Sequence, residues 1–252
     1  MKTKLRLGLF GASGRMGQLV RGLALSSPDV EVVAEVDRET PRTVGFSGCD
    51  VVIDFSLPGA TEELLTRLEG APVPLVTGVT GRSAVARGLI EAHAQAAPVL
   101  IASNFSLGLT LLHRLVAEAA RAVDWDLEIF ELHHSQKVDA PSGTALALAE
   151  SAASGRGQPG TVTPLTFPRV SGQRQPGELG LSAARGGDVV GEHTVFLLGE
   201  GERIELTHRA TDRVIFARGA LRAARFLVGR EPGSYTLDDV LAFGHRVQAK
   251  PI

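Results

Sequence analysis

The 252-residue chain carries 26 Lys and Arg against 28 Asp and Glu, a formal net charge of -2, with 44% hydrophobic residues. This is an ordinary globular balance, without the basic excess of a nucleic-acid binder or a strongly acidic tail. The single cysteine, Cys49, excludes an internal disulfide framework and the multi-cysteine zinc patterns, and suits a reducing cytoplasm.

The length admits one large domain or two modest ones, each able to bury a core. The basic-then-apolar start "MKTKLRLGLF" is interrupted by Arg6 and followed at once by glycines, unlike a signal peptide. No segment approaches the ~18 to 20 apolar residues that span a bilayer. A soluble, cytoplasmic chain with neither membrane nor nucleic-acid partner is expected.

The first hundred residues alternate short apolar runs with helical patterns. "LRLGLF" (5–10) reads as a buried strand, "MGQLVRGLALS" (16–26) as a helix, and "VEVVAEVD" (30–37) and "CDVVIDFS" (49–56) as strands. "PGATEELLTRLEG" (58–70) opens on proline, as helices do. "VPLVTGVT" and "PVLIASN" are strands on either side of the helix "SAVARGLIEAHAQA". Such alternation predicts βαβ units and a parallel sheet.

The pattern then changes. "LGLTLLHRLVAEAARAV" (107–123) is a long amphipathic helix and "DLEIFELHH" a strand. A helix opening Ser-Gly-Thr precedes a Gly-, Pro- and Gln-rich loop over 155–177, and then "LGLSAAR", "HTVFLLG" and "RIELTHRA" follow with no helix between them. Consecutive strands predict a mixed or antiparallel sheet, hence a different domain. A final helix at 214–229 is expected to pack back on the first domain.

"GASGRMG" places Gly11, Gly14 and Gly17 between a strand and a helix. Glycine there lets the backbone turn sharply and approach a pyrophosphate, and the helix N–H groups favour its charge. Asp37, about 20 residues beyond the last glycine, suits the adenosine ribose hydroxyls. Its neighbour Arg38 suits a 2′-phosphate, so NADH, NADPH or both are expected as cofactor. "TGVTG" and "ASNF" follow predicted parallel strands and are candidates for the nicotinamide end.

The segment "ELHHSQKVDAPSGTAL" gathers His133, His134 and Lys137 just before a helix whose first turn holds Gly143 and Thr144. Successive strand residues face opposite ways, so the two histidines are poorly placed to share a metal. With ligand spacing and cysteines also missing, no metal is expected. Lys137 is a cation and a possible proton donor, and the helix N-terminus favours a carboxylate. Read singly, Ser142 is an N-cap, and His193 and His208 are satisfied sheet histidines.

Taken together, "ELHHSQKVDAPSGTAL", "GASGRMG", "VIDFS", "ASNFSLG", "RGGDVVGEHTV" and "THRATDRVIFARGAL" resemble the dihydrodipicolinate reductase family nearly end to end and in family order. The resemblance implies a Rossmann-like doubly wound parallel sheet plus an inserted α+β domain. It assigns 1–104 and 216–252 to a dinucleotide-binding domain and 105–215 to a substrate-binding and oligomerisation domain, forming a homotetramer. The implied reaction is hydride transfer from the nicotinamide to C4 of a cyclic dicarboxylate after water is lost. It gives tetrahydrodipicolinate in lysine and diaminopimelate synthesis.

Carried over by motif, His133 and Lys137 are the catalytic pair, with Lys137 a proton donor, and His134, Gly143 and Thr144 hold the carboxylates. Gly11, Ala12, Ser13, Gly14, Arg15, Met16, Asp37, Arg38, Gly78, Val79, Thr80, Ala102, Ser103, Asn104 and Phe105 line the cofactor. The chain departs from the family in a shortened stretch between Asp37 and Cys49, which opens the adenosine pocket, and in Val79 at the middle of a loop that is often Gly-Thr-Thr. The competing readings are another two-domain dehydrogenase, of aspartate or semialdehyde type, and a non-catalytic dinucleotide sensor.

Overall fold

The computed structural model describes residues 4–68, 70, 72–158, 165–166 and 172–241. Residues 159–164 and 167–171 of the 155–177 loop anticipated from the sequence lie outside the described residues. The chain divides into two compact units, Met1–Leu107 with Val214–Ile252, and Gly108–Arg213.

In the first unit, β1 (Leu5–Phe10), α1 (Arg15–Leu25), β2 (Val30–Val36), β3 (Val51–Asp54), α2 (Thr61–Arg67), β4 (Leu75–Thr77), α3 (Ala84–Ala94) and β5 (Pro98–Ile101) follow the alternation read from the sequence. Leu7, Leu9, Val51, Val52, Ile53, Leu75 and Val76 are all buried, the continuous apolar signature of strands covered on both faces. Every pairing in this sheet is parallel, with order β2-β1-β3-β4-β5. Consequently the loops after these strands all emerge along one edge. The chain reverses direction across the sheet between β1 and β3, where open α/β sheets bind ligands.

After leaving the second unit the chain returns through α6 (Val214–Leu227), β11 (Gly233–Tyr235) and α7 (Leu237–Val240). The α6 residues Ala217, Ala220, Leu221 and Ala224 pack with Val20 and Ala24 of α1 over the sheet, and β11 adds a sixth strand beside β5. Gly219 lets α6 lie against the chain at Phe105: a Cβ there would fall 1.8 Å from the Phe105 carbonyl oxygen.

The connection between β2 and β3 contains no strand, but it is firmly held. Arg67 donates to the carbonyls of Thr40, Pro41 and Val44 at 2.7–3.0 Å, and Phe46 is fully buried beneath it.

The second unit comprises α4 (Leu107–Ala122, joined at its first residue to the first unit), β6 (Asp126–His133), α5 (Gly143–Gly155), β7 (Leu165–Thr166), β8 (Leu179–Arg185), β9 (Gly191–Leu198) and β10 (Arg203–Ala210). Its sheet, ordered β10-β9-β6-β8-β7, is mixed: β6 runs antiparallel to β9 and parallel to β8. Alternate residues Leu127, Ile129, Glu131 and His133 of β6 face a core of Leu109, Leu112 and Val116 from α4 and Leu148, Ala149 and Ala152 from α5. Two of those four inward positions are ionisable. The opposite face carries Phe130, 41% exposed, with Thr194 opposite it on β9.

Candidate active site

The glycine-rich turn of the first unit is built by close packing. Gly11 takes φ +83°, a left-handed conformation that side chains resist, and a Cβ at Gly17 would lie 2.2 Å from the Gly11 carbonyl oxygen. Gly14 is the N-cap of α1 and supplies no side-chain cap to the helix N–H groups. Those groups and the helix dipole suit an anion.

Asp37, at the end of β2, accepts from Ser13 N (2.9 Å) and Ser13 Oγ (2.8 Å), which ties it to the turn. Gly11, Ser13, Gly14, Asp37, Arg38 and Phe55 line a cavity of about 570 Å³ at the β1–β3 edge. Ala12 is buried, Arg15 exposed, and Met16 packs against the core.

The two further loops lie along the same edge. Phe55 stacks edge-on with Phe105, ring centres 5.5 Å apart, and a Cβ at Gly78 would strike the Phe55 ring at 2.2 Å. The Val79 side chain is buried and its carbonyl accepts from Arg82 Nη1 (2.9 Å), while Thr80 stays exposed. Ala102 N donates to Thr77 O at 3.1 Å, Ser103 is exposed, and Asn104 Oδ1 accepts from Ser106 N at 2.8 Å.

Beneath these loops lies a group absent from the sequence reading. Asp54, fully buried at the end of β3, accepts from Ser56, Thr77 and Arg82. Arg82 also donates to Thr61 and Val79.

In the second unit β6 ends at His133, which is buried, while His134 beyond it is half-buried. Lys137 N donates to the His134 carbonyl (3.1 Å), forming the turn that brings the lysine round. Lys137 Nζ donates to both oxygens of Asp139, at 2.7 and 2.8 Å, and that hydrogen bonding holds the Asp139 carboxyl below the usual range. Ser142 is the N-cap of α5, its Oγ accepting from Ala145 N at 3.1 Å. Gly143 and Thr144 form the first turn, and among the described residues a Cβ at Gly143 would meet nothing within 4 Å.

Behind His133 stands Glu131, wholly buried. Its Oε1 accepts from Ser142 N (2.9 Å) and Arg185 Nη2 (2.9 Å). Its Oε2 lies 2.9 Å from His133 Nδ1, off the ideal hydrogen-bond direction, and 3.7 Å from His193 Nε2. Burial raises the Glu131 pKa, but the hydrogen bonds from Ser142 and Arg185 outweigh it and hold the group ionised. Burial depresses His133, against the opposing pull of Glu131, and pushes His193 down to about 4.

His193 is therefore more than a satisfied sheet residue: its Nε2 lies 3.2 Å from Ser142 Oγ, and its Nδ1 is buried without a hydrogen-bond partner among the described residues. Glu131, His133 and His193 offer ligand atoms within 4.8 Å of one another, the chemistry of a divalent-ion site. Glu131 is, however, already neutralised by Arg185.

The parallel sheet, the switch point and the glycine turn with its acidic partner define the class, a nicotinamide-dinucleotide oxidoreductase. Residues 5–105 match the family described as dihydrodipicolinate reductase, N-terminus, and residues 108–241 its C-terminus. The 4-hydroxy-tetrahydrodipicolinate reductase of a Nitratiruptor species is 44% identical over 262 residues, covering 94% of this chain and 99% of the relative. That of Stenotrophomonas maltophilia (strain R551-3) is 45% identical over 256 residues, covering 95% and 99%. This chain belongs to the dihydrodipicolinate reductase family. The dipicolinate-bound dihydrodipicolinate reductase of Paenisporosarcina sp. TG-14 shares the fold, with a TM-score of 0.75 at 23% identity over 93% of this chain and 98% of that one. Among the described residues no helix is long and apolar enough to cross a membrane.

Proposed function

We propose that the chain is a 4-hydroxy-tetrahydrodipicolinate reductase that takes reducing equivalents from NADH or NADPH and serves lysine and diaminopimelate synthesis in the cytoplasm. In this reading the first unit is the dinucleotide-binding domain and the second holds substrate and builds the oligomer. The cofactor, when bound, supplies hydride to C4 of the dehydrated cyclic dicarboxylate.

The residues fit a dinucleotide. Gly11–Gly14 and the α1 N-terminus receive the pyrophosphate, and Asp37 receives ribose hydroxyls. Exposed Arg38 beside it can meet a 2′-phosphate, so both cofactors are accepted. Gly78, Val79, Thr80 and Ala102 to Phe105 lie toward the nicotinamide end. Val79 contributes backbone alone, because its side chain is buried.

The observation that carries the reading is the α5 N-terminus beside His133 and Lys137 in one unit. Neither φ nor packing requires glycine at 143, and close approach of a ligand is the use that explains it. Gly143 and Thr144 hold one carboxylate at the helix N-terminus and His134 the other. Lys137, released from Asp139 by the incoming dianion, protonates the electron-rich product of hydride addition, with His133 as partner. A positioned acid contributes about 10² to 10⁴-fold to such a step.

The outward face of the second sheet, with Phe130 exposed and Phe196 half-buried, supports assembly through this sheet into a homotetramer. The test is turnover of the dicarboxylate, formed in place from pyruvate and aspartate semialdehyde by the preceding enzyme, followed as loss of reduced-nicotinamide absorbance.

A further inference from the structure

We infer that Glu131 is a positioning residue serving both halves of the substrate site. Its Oε2 fixes the tautomer of His133, and its Oε1 fixes the amino end of the helix that receives a carboxylate. This inference rests on the assignment of His133 and α5 made above.

An ionised carboxylate has acceptors only, so His133 Nδ1, 2.9 Å from Oε2 though off the ideal hydrogen-bond direction, is more stable with a proton than without one. That leaves Nε2 as the atom that exchanges protons in the reaction. Space at Nε2 is kept by Gly191 on β9, where a Cβ would come within 2.9 Å of it. On the other side Oε1 takes the Ser142 N–H, 11 residues along the chain, at the N-cap of α5. Arg185 closes the arrangement by donating to Oε1 and to the Asp139 carbonyl (2.6 Å), which pins the loop carrying Lys137. One buried carboxylate thus sets His133, the helix end and the loop carrying Lys137 in register.

Stability gives little reason for such a group. The Glu131 carboxylate is fully buried and its partner Arg185 is 18% exposed. An ion pair of this kind gains little over its own desolvation, and an apolar replacement of both partners often folds as well. The charged and titratable groups around His133 are Glu131 on its own strand, His134 and Lys137 beyond it, Arg185 on β8 and His193 on β9. His113 of α4 and His208 of β10 act in turn on His193. Among these Glu131 is the one that favours the imidazolium, while the others oppose it. Removing its charge therefore lowers the His133 pKa.

The test compares wild type, Glu131→Gln and Glu131→Ala. His133 is titrated by NMR of labelled histidine, with its signal assigned by loss in His133→Asn, and the pH profile of kcat/KM is recorded beside it. Pyridine-2,6-dicarboxylate (dipicolinate) is the binding probe. In Glu131→Gln the His133 midpoint falls by about one pH unit, a modest opposite-charge effect because Arg185 already offsets part of the charge. The kcat/KM profile moves the same way, and dipicolinate affinity stays within about twofold because the amide oxygen still accepts from Ser142. Glu131→Ala loses dipicolinate affinity about tenfold or more.

An unchanged His133 midpoint in the isosteric Gln variant overturns the inference, and that result is available even if the Ala variant does not fold. Wild-type affinity for dipicolinate in Glu131→Ala overturns the second half. A wild type that shows the His133 shift on substitution but never turns over the dicarboxylate keeps the positioning role and removes the reductase reading instead.

Discussion

Asp54 and Arg82 form a buried ion pair, Oδ2 to Nη2 2.7 Å, with side chains 0% and 5% exposed. The pair joins the loop after β3, through Ser56, to the loop after β4, through Thr77 and Val79. Both loops line the proposed cofactor edge, so a structural pair also sets its shape. Arg82→Met strands a buried carboxylate and costs about 3–5 kcal/mol in urea denaturation. Asp54→Asn combined with Arg82→Met costs less than the two single changes summed, as expected for groups in direct contact.

Acid stability is set in part by His193. Its pKa is about 4 in the folded chain against 6.5 for the free group, so between these values the unfolded chain binds the extra proton. Stability is full above pH 6.5 and falls as pH drops toward 4, by roughly 3 kcal/mol for a shift of this size. His133 and His208, also depressed by burial, act in the same direction. Urea midpoints measured between pH 7.5 and 4.5 check the slope, and His193→Asn makes it shallower.

In the proposed cofactor site Asp37 meets the adenosine end. Asp37→Ala removes the carboxylate that Ser13 holds and weakens NADH roughly tenfold or more, by loss of charged hydrogen bonds. NADPH, whose 2′-phosphate no longer faces a carboxylate, is weakened less. Fluorescence titration with each dinucleotide measures the ratio, and equal losses would contradict this placement of Asp37.

The open face of the second sheet gives a separate test. Phe130→Asp puts a charge at the middle of β6 on the outward face and yields a smaller species than wild type in light scattering. An unchanged mass would place the assembly surface elsewhere.

Much of this architecture is legible in the chain itself. The runs at 7–10 and 51–53 are apolar on both faces, and Pro58 and Ser83 mark helix starts, because local periodicity and capping are short-range effects. β11 escapes because Gly233–Tyr235 has no pattern of its own and forms only by joining β5 after α6 returns. The parallel pairing of β6 with β8 is likewise a tertiary choice, while simple succession of strands suggests hairpins. The His-His-Lys motif and the Ser-Gly-Thr turn are visible as residue types. Glu131 reads as one more strand residue, because its partners Ser142 and Arg185 lie 11 and 54 residues away and meet it only in the fold. The role of His193 is hidden for the same reason.

The most direct measurement is steady-state oxidation of NADH and NADPH with the dicarboxylate formed in place, for wild type and Lys137→Ala. Turnover by the wild type, and a kcat lowered about 10² to 10⁴-fold in the variant with dinucleotide affinity unchanged, is the predicted result. Wild-type binding of dinucleotide without turnover, or full activity in Lys137→Ala, would contradict it.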